Sequence, residues 1–169
     1  MAETTDHGSE QQARAQLASI REMVAALDCD YDRIQELRDE RDAWEAEHSD
    51  DRDWPAAMDL DELEEAAGEC TDREDAERRI HEDALCVEVR SGWYTLDSDD
   101  DAKAPEEYRI LLCTGGPTCQ IIGQLDGYGQ PKSARIQHQD WFTPWQDLDI
   151  ESEDEQALLT YAQCFYFGS

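Results

Sequence analysis

The chain has 169 residues, and its 43 Asp or Glu against 14 Lys or Arg give a formal net charge of −29. This balance excludes a protein whose main function is to bind a nucleic-acid backbone, because such a protein needs clustered Lys and Arg. It also disfavours binding to an anionic membrane surface. The sequence contains no apolar run of the roughly 18 residues that a membrane span needs, and its first residues lack the basic and apolar parts of a signal peptide. We therefore expect a cytoplasmic protein that binds neither nucleic acid nor a membrane directly.

The cysteines give no clear sign of a metal site. Without an export signal, reduced thiols are expected. The C-x5-C spacing of Cys113 and Cys119 differs from the C-x2-C spacing of zinc sites. We therefore predict buried, unreactive thiols in preference to a bound metal, and no residue pattern indicates a cofactor.

Two regions differ in charge and in periodicity. Residues 1–82 contain 27 acids and 9 bases, a net charge of −18, whereas residues 83–169 contain 16 acids and 5 bases, a net charge of −11. The first region has the period of helices and the second mainly that of strands. We predict an acidic helical region over 1–82 and an antiparallel sheet with a C-terminal helix over 83–169.

The helical region begins with a stretch, 9–54, that contains neither Gly nor Pro. Apolar residues recur there at alternating steps of three and four, the spacing of a helix seam. The seam residues are Leu17, Ile20, Val24, Leu27, Tyr31 and Ile34. This pattern predicts a long amphipathic helix bent near 28–30, and the seam could also pair two copies of the chain as a homodimer.

Two shorter helices are predicted after an acidic loop at 48–53. Pro55 suits the first turn of a helix that carries apolar residues, including Met58, and ends near Gly68. Thr71 and Glu74 have the spacing of a capping box, which predicts a third helix to about residue 83.

From residue 85 the apolar period changes to two. Leu85, Val87 and Val89 alternate with polar residues, as in a half-buried strand. Three more strands are predicted at 108–113, 119–122 and 133–138, joined by short turns that contain Gly and Pro.

The last predicted element is a helix opened by a second capping box, Ser152 with Glu155. We expect one face of the sheet to receive this helix together with the N-terminal helices. The fold class is therefore predicted as α+β, with N-terminal acidic helices followed by a four-stranded antiparallel meander packed by a C-terminal helix.

Three features that could support chemistry are better explained structurally. Cys113 and His138 lie on neighbouring predicted elements, but an apolar strand favours a buried thiol over a nucleophile. The turn at 114–117 lacks the lysine and the helix of a phosphate-binding loop, and the acidic segment 97–101 lacks the EF-hand spacing. We expect a protein that is not an enzyme, although a site assembled from scattered residues would leave no local motif.

Aromatic residues cluster at 141–145 and again at 165–167. If exposed, Trp141 and Trp145 would form a docking patch for a protein partner, since Trp is enriched at interface centres. We favour the alternative in which the C-terminal helix folds over this segment and both clusters form one core, because a small sheet needs its aromatic residues inside.

The acid density of the helical region is the strongest functional signal. Residues 28–53 contain twelve acids and four Arg, a net charge of −8, which on a helix is one charge per roughly 5 Å against one per about 1.7 Å in duplex DNA. Acids on the next helix would raise this density, and carboxylates three or four residues apart lie about 5–6 Å from each other. The pattern predicts a surface that imitates nucleic acid and enters the basic cleft of a nucleic-acid-binding protein, where Arg side chains contact it. The candidate contact residues are Asp28, Asp30, Asp32, Glu36, Asp39, Glu40, Asp50, Asp51, Asp53, Asp59, Asp61, Glu62, Glu64 and Glu65.

The same charge is also compatible with causes unrelated to mimicry. High negative charge keeps a protein soluble whatever its function, and twelve Arg against two Lys fits a salt-adapted host. The main alternative function is a non-enzymatic adaptor that docks through Trp141 and Trp145.

Three segments of the second region resemble a family of small acidic proteins carried by phages and mobile elements. They are Leu111-Leu-Cys-Thr-Gly-Gly-Pro117, Gln139-Asp-Trp-Phe-Thr-Pro-Trp145 and Cys164-Phe-Tyr-Phe-Gly168, and the resemblance covers about 84–168. Small acidic phage and plasmid proteins include antirestriction and anti-CRISPR inhibitors, several of which imitate DNA. The resemblance therefore implies an inhibitor of a defence nuclease or CRISPR effector.

Overall fold

The computed structural model describes residues 7–48, 53–99 and 103–168. Within them the chain forms five helices and one five-stranded sheet, which confirms the α+β class. The helices are α1 (His7–Leu27), α2 (Tyr31–Glu47), α3 (Ala57–Ala67), α4 (Arg73–Asp83) and α5 (Ser152–Gln163). The strands are β1 (Cys86–Ser91), β2 (Pro105–Cys113), β3 (Thr118–Gln124), β4 (Arg135–Gln139) and β5 (Gln146–Asp147).

These elements belong to two compact units. The sheet unit consists of Met1–Arg21 and Ile80–Ser169, and the helical unit consists of Glu22–Arg79. The division falls within α1 and within α4, so the first part of α1 belongs with the sheet.

The sheet is an antiparallel meander in the order β1-β2-β3-β4-β5. The four predicted strands are present. The fifth, β5, pairs with β4 through His138 opposite Gln146. Its two residues are too few to show a period of two, so the sequence pattern did not predict it.

Helices cover one face of the sheet. Ile110, Ile121 and Ile136 stand side by side across β2, β3 and β4, and each is fully buried. The hydroxyl of Ser9 hydrogen-bonds to Nδ1 of His138 at 2.9 Å, which places the start of α1 on this face, and α5 packs on β4. Burial of each isoleucine stabilises the fold by about 1.5–3 kcal/mol.

The prediction that β1 is half-buried is wrong. Leu85, Val87 and Val89 are all exposed, and so are nearly all residues of the strand. The strand lies at the edge of the sheet and has β2 as its one neighbour. The helix layer that buries the middle strands leaves the apolar residues of β1 exposed.

The predicted long helix is two helices, and the break between α1 and α2 lies where the bend was predicted. Asp30 is the N-cap of α2, and its carboxylate accepts a hydrogen bond from the Arg33 backbone N–H at 3.0 Å. Four residues of the predicted seam, Leu17, Ile20, Leu27 and Ile34, are buried within the single chain. They are therefore not free to pair two copies, and the structure gives the proposed homodimer seam no support.

A small core holds α2 and α3 together. It contains Ile34 and Leu37 from α2 with Leu60 and Ala67 from α3. As predicted, α3 ends at a glycine, and Gly68 has a φ of 60° that favours glycine. Met58, at the start of the same helix, is largely exposed.

Both predicted capping boxes are wrong in detail. At α4 the carboxylate of Asp72 accepts from the Asp75 backbone N–H at 2.7 Å, one residue beyond the predicted Thr71 and Glu74. At α5 the N-cap residue is Glu151, and its side chain makes no capping hydrogen bond. In each case the helix is present, because apolar burial rather than the cap determines its existence.

Replacing Gly123 with Ala tests the packing of the covered face. A methyl group there would lie 1.9 Å from the Ser133 carbonyl oxygen and 2.6 Å from the Tyr108 ring. The Tyr108 hydroxyl donates to that same carbonyl at 2.8 Å, so both neighbours are held in place. We expect Gly123→Ala to lower the free energy of unfolding by about 1–3 kcal/mol, measured by urea denaturation. The control is Gly127→Ala, whose methyl group would meet nothing within 4 Å; equal midpoints for the two variants would contradict the expected clash.

Candidate functional site

The helical unit concentrates the negative charge of the protein. Residues 22–79 contain 23 acids and 7 Arg, a net charge of −16. The remaining 111 residues carry −13. Just over half of the net charge therefore belongs to about a third of the chain.

The predicted contact acids fall into three groups. Asp28 and Asp30 lie in the break between α1 and α2, and Asp53 precedes α3. Those on α2 are Asp32, Glu36, Asp39 and Glu40. Those on α3 are Asp59, Asp61, Glu62, Glu64 and Glu65. Asp50 and Asp51 lie outside the described residues. Of the described acids, all but the half-buried Glu64 are exposed.

Packing of α2 against α3 brings the two helical groups onto one unit. The guanidinium of Arg38 on α2 lies 2.7 Å from the Glu64 carboxylate on α3. This ion pair links the two helices and removes Glu64 from the acids that are free for a partner.

Arginines also neutralise part of α2. One guanidinium nitrogen of Arg33 lies 3.0 Å from Glu36 and 3.2 Å from Glu40, and these hydrogen bonds raise the pKa of Arg33. Exposed pairs of this kind contribute little stability, about 0–1 kcal/mol. Within the described residues, no ion pair within 4 Å is formed by Asp28, Asp32, Asp39, Asp59, Asp61, Glu62 or Glu65. These seven acids form the acidic surface.

The aromatic clusters do not form one core, which corrects our prediction. Trp141 is 66% exposed and Phe142 is fully exposed, whereas Phe167 is buried. The segment turns between β4 and β5, where the Asp140 backbone N–H donates to the Thr143 hydroxyl at 3.1 Å. The side chains of Trp141 and Phe142 in this turn are therefore outside the core.

Trp145 has a different environment from Trp141. It is half-buried and lines a cavity of about 570 Å³. The cavity lies on the face of the sheet opposite the helices, which we call the open face. The sequence pattern did not predict this site, although alternating charges on β1 (Glu88, Arg90) and β2 (Glu107, Arg109) were a signal of a polar sheet face.

Cys113 and His138 each have another hydrogen-bond partner. The Cys113 thiol donates to the Pro117 carbonyl at 3.7 Å, while His138 pairs with Ser9. The cysteine opposite His138 in the sheet is Cys119, which is buried. Burial raises the pKa of the Cys119 thiol to about 12, so this thiol is protonated at neutral pH.

No family model, no curated protein and no solved structure matches this chain. In the part that the structure describes, none of the helices has both the length and the apolar character needed to span a bilayer. The same residues contain no group of three His, Cys, Asp or Glu side chains placed to hold a metal ion. The acidic surface, the exposed aromatic turn and the open face are the candidate functional features of the described residues.

Thiol labelling tests the burial of Cys119. Because the thiolate is the reactive form, Cys119 with its raised pKa should resist iodoacetamide at pH 8, while the exposed Cys86 should react. Peptide mass spectrometry after timed labelling would measure both rates in the folded protein, with urea-unfolded protein as the control. Labelling of Cys119 as fast as Cys86 in the folded state would contradict the structure.

Proposed function

We propose that the protein is an acidic inhibitor whose helical unit imitates nucleic acid and occupies the basic cleft of a nucleic-acid-binding protein. The proposed partner class is a defence nuclease or CRISPR effector, and the proposed origin is a phage or mobile element, as the resemblance of the second region implies. The observation that carries the proposal is the exposed acidic surface of α2 and α3.

Charge spacing on α3 supports this proposal. This helix has five acids and no base in 11 residues, which is one net charge per about 3 Å at a rise of about 1.5 Å per residue. A single strand of duplex DNA carries one charge per about 3.4 Å. Counted before the pairing of Glu64 with Arg38 of α2, the charge density of α3 is therefore close to that of one phosphate strand.

The charge density of α2 is lower than that of α3. It has seven acids and three Arg in 17 residues, or one net charge per about 6 Å. Helices that pack together lie about 8–10 Å apart, so α2 adds a second, weaker row of carboxylates beside α3. We therefore propose that the contact surface centres on α3 rather than on residues 28–53.

Neutralising α3 tests the proposal. The variant Asp59→Asn, Glu62→Gln, Glu65→Gln removes three charges that have no ion pair within the described residues. The control, Glu82→Gln, Asp99→Asn, Asp149→Asn, removes three exposed charges from the sheet unit. If α3 imitates nucleic acid, the first variant should bind its partner at least about tenfold more weakly, and the control should bind nearly normally.

The assay first captures partners from a bacterial lysate treated with nuclease and identifies them by mass spectrometry. Affinity for the purified partner is then measured at 50 and 200 mM salt, with and without a duplex DNA competitor. Mimicry predicts a partner that binds nucleic acid, an affinity that falls steeply with salt and displacement by the duplex. A partner that DNA does not displace, or that binds both variants equally, would refute the proposal.

The exposed aromatic turn supports a second candidate function, that of a protein–protein adaptor. Trp141 and Phe142 have ring centroids 6.2 Å apart, and Phe142 has a φ of 64°. Such a backbone conformation is costly for an aromatic residue and is found mainly where function requires it. A pair of exposed aromatic rings held in this way suits an apolar pocket on a partner.

Replacing Phe142 with Gly separates the adaptor function from mimicry. Gly tolerates a positive φ, so the free energy of unfolding should be unchanged or slightly higher in thermal denaturation. An adaptor would lose partner binding in Phe142→Gly and would keep it in the α3 variant, with little dependence on salt. The control is Tyr128→Gly, which removes an exposed aromatic ring from another turn. Unchanged binding in Phe142→Gly would exclude the adaptor function.

A further inference from the structure

The open face forms a cavity of the size of small-molecule sites. Its volume of about 570 Å³ lies within the usual range of about 300–1,000 Å³. Its walls combine charged side chains with the indole of Trp145, and its lining comes entirely from the sheet unit. This site is therefore independent of the acidic surface on α2 and α3.

Strand register places an apolar residue between two arginines at the centre of this face. Across β1 to β4 the row reads Glu88, Arg109, Ile122, Arg135. Arg109 donates to Glu88 at 2.7 Å, and Arg135 donates to Asp147 at 3.1 Å.

Each guanidinium keeps unused N–H donors. It has five N–H groups, and these pairs occupy only one or two of them. The carboxylate partners cancel the positive charge of both arginines. This arrangement favours a neutral molecule with hydrogen-bond acceptors over an anion, and the net charge of −29 disfavours an anion further.

The next row across the sheet contains a buried polar group that lacks a donor. Gln120 is 4% exposed. Its Nε2 donates to Oε1 of Gln137 at 2.9 Å, and Nε2 of Gln137 donates to Asp147 at 2.7 Å. Because a carboxylate only accepts, Asp147 determines the orientation of both amides and leaves Oε1 of Gln120 as the acceptor at the end of the chain.

That oxygen accepts no hydrogen bond from any residue that the structure describes. A buried acceptor without a donor is costly. Gln120 lines the cavity and has Arg109 and Arg135 as diagonal neighbours on adjacent strands. Both arginine side chains are about half exposed, whereas Oε1 itself is buried, so a ligand reaches it only when the side chains around it move.

We propose that the open face binds a neutral, flat heteroaromatic molecule with an N–H donor on one edge and acceptors on another, the chemistry of a purine base. The donor pairs with Oε1 of Gln120, the acceptors receive hydrogen bonds from Arg109 and Arg135, and the ring lies on Ile122 within the cavity that Trp145 also lines. Arginine and purine acceptors are a common pair in base recognition, and aromatic side chains stack on bases.

Inosine and 1-methylinosine test this site, because methylation of N1 removes the donor that Gln120 would accept and keeps the acceptors and the ring. Binding to the full chain is measured by titration calorimetry. We expect 1-methylinosine to bind at least tenfold more weakly than inosine. The variant Gln120→Leu should bind inosine at least tenfold more weakly and should no longer distinguish the two ligands, whereas Gln156→Leu on the surface of α5 should behave as wild type.

Further probes distinguish binding of a purine base from binding of an anion or of a nucleic-acid strand. Inosine monophosphate should bind no more tightly than inosine, and neither inorganic phosphate nor a short single-stranded oligonucleotide should compete with inosine. Thermal denaturation would verify that Gln120→Leu is folded. A second variant, Trp145→Ala, is expected to bind inosine at least fivefold more weakly. The proposal is overturned if inosine does not bind at millimolar concentration, if Gln120→Leu still discriminates the methylated ligand, or if phosphate alone displaces inosine.

Discussion

Among the described residues, helices cover only one face of the sheet, and the rest of the sheet unit depends on this constraint. The buried row of Ile110, Ile121 and Ile136 needs an apolar cover, and α1 and α5 provide it. Because side chains alternate between the two faces of a strand, residues one position away point to the opposite face. That face carries the ladder of Arg, Glu and Gln side chains that lines the cavity. The apolar core and the polar site are thus on the two faces of the same sheet.

Composition imposes a different constraint on the helical unit. Charged side chains are costly to bury without partners, so its 23 acids must lie mainly at the surface. The apolar core of this unit is therefore small, and it centres on Ile34, Leu37, Leu60 and Ala67. Arg38 reduces the repulsion by pairing with Glu64 across the two helices. The thin core and the dense acidic surface therefore have the same origin, whether or not a partner uses that surface.

Local patterns were sufficient to predict most of the elements. The helix break at Asp30 and the end of α3 at Gly68 follow from capping chemistry that the sequence shows directly. The exposure of β1 was not predictable, since an alternating strand looks the same at the edge of a sheet as in its middle. The exposure of Trp141 and Phe142 is likewise a tertiary property, which the local sequence does not encode.

The open face shows most clearly why the site could not be read from the sequence. Gln120, Gln137 and Asp147 lie on three different strands, and only the register places them in one row. The direction of the hydrogen bonds then depends on the last member, because Asp147 can only accept. No property of Gln120 in the sequence indicates that its oxygen is left without a donor. The pairing of the strands must therefore be known before the chemistry of this face can be recognised. The acid density of α3, in contrast, is visible in 11 consecutive residues.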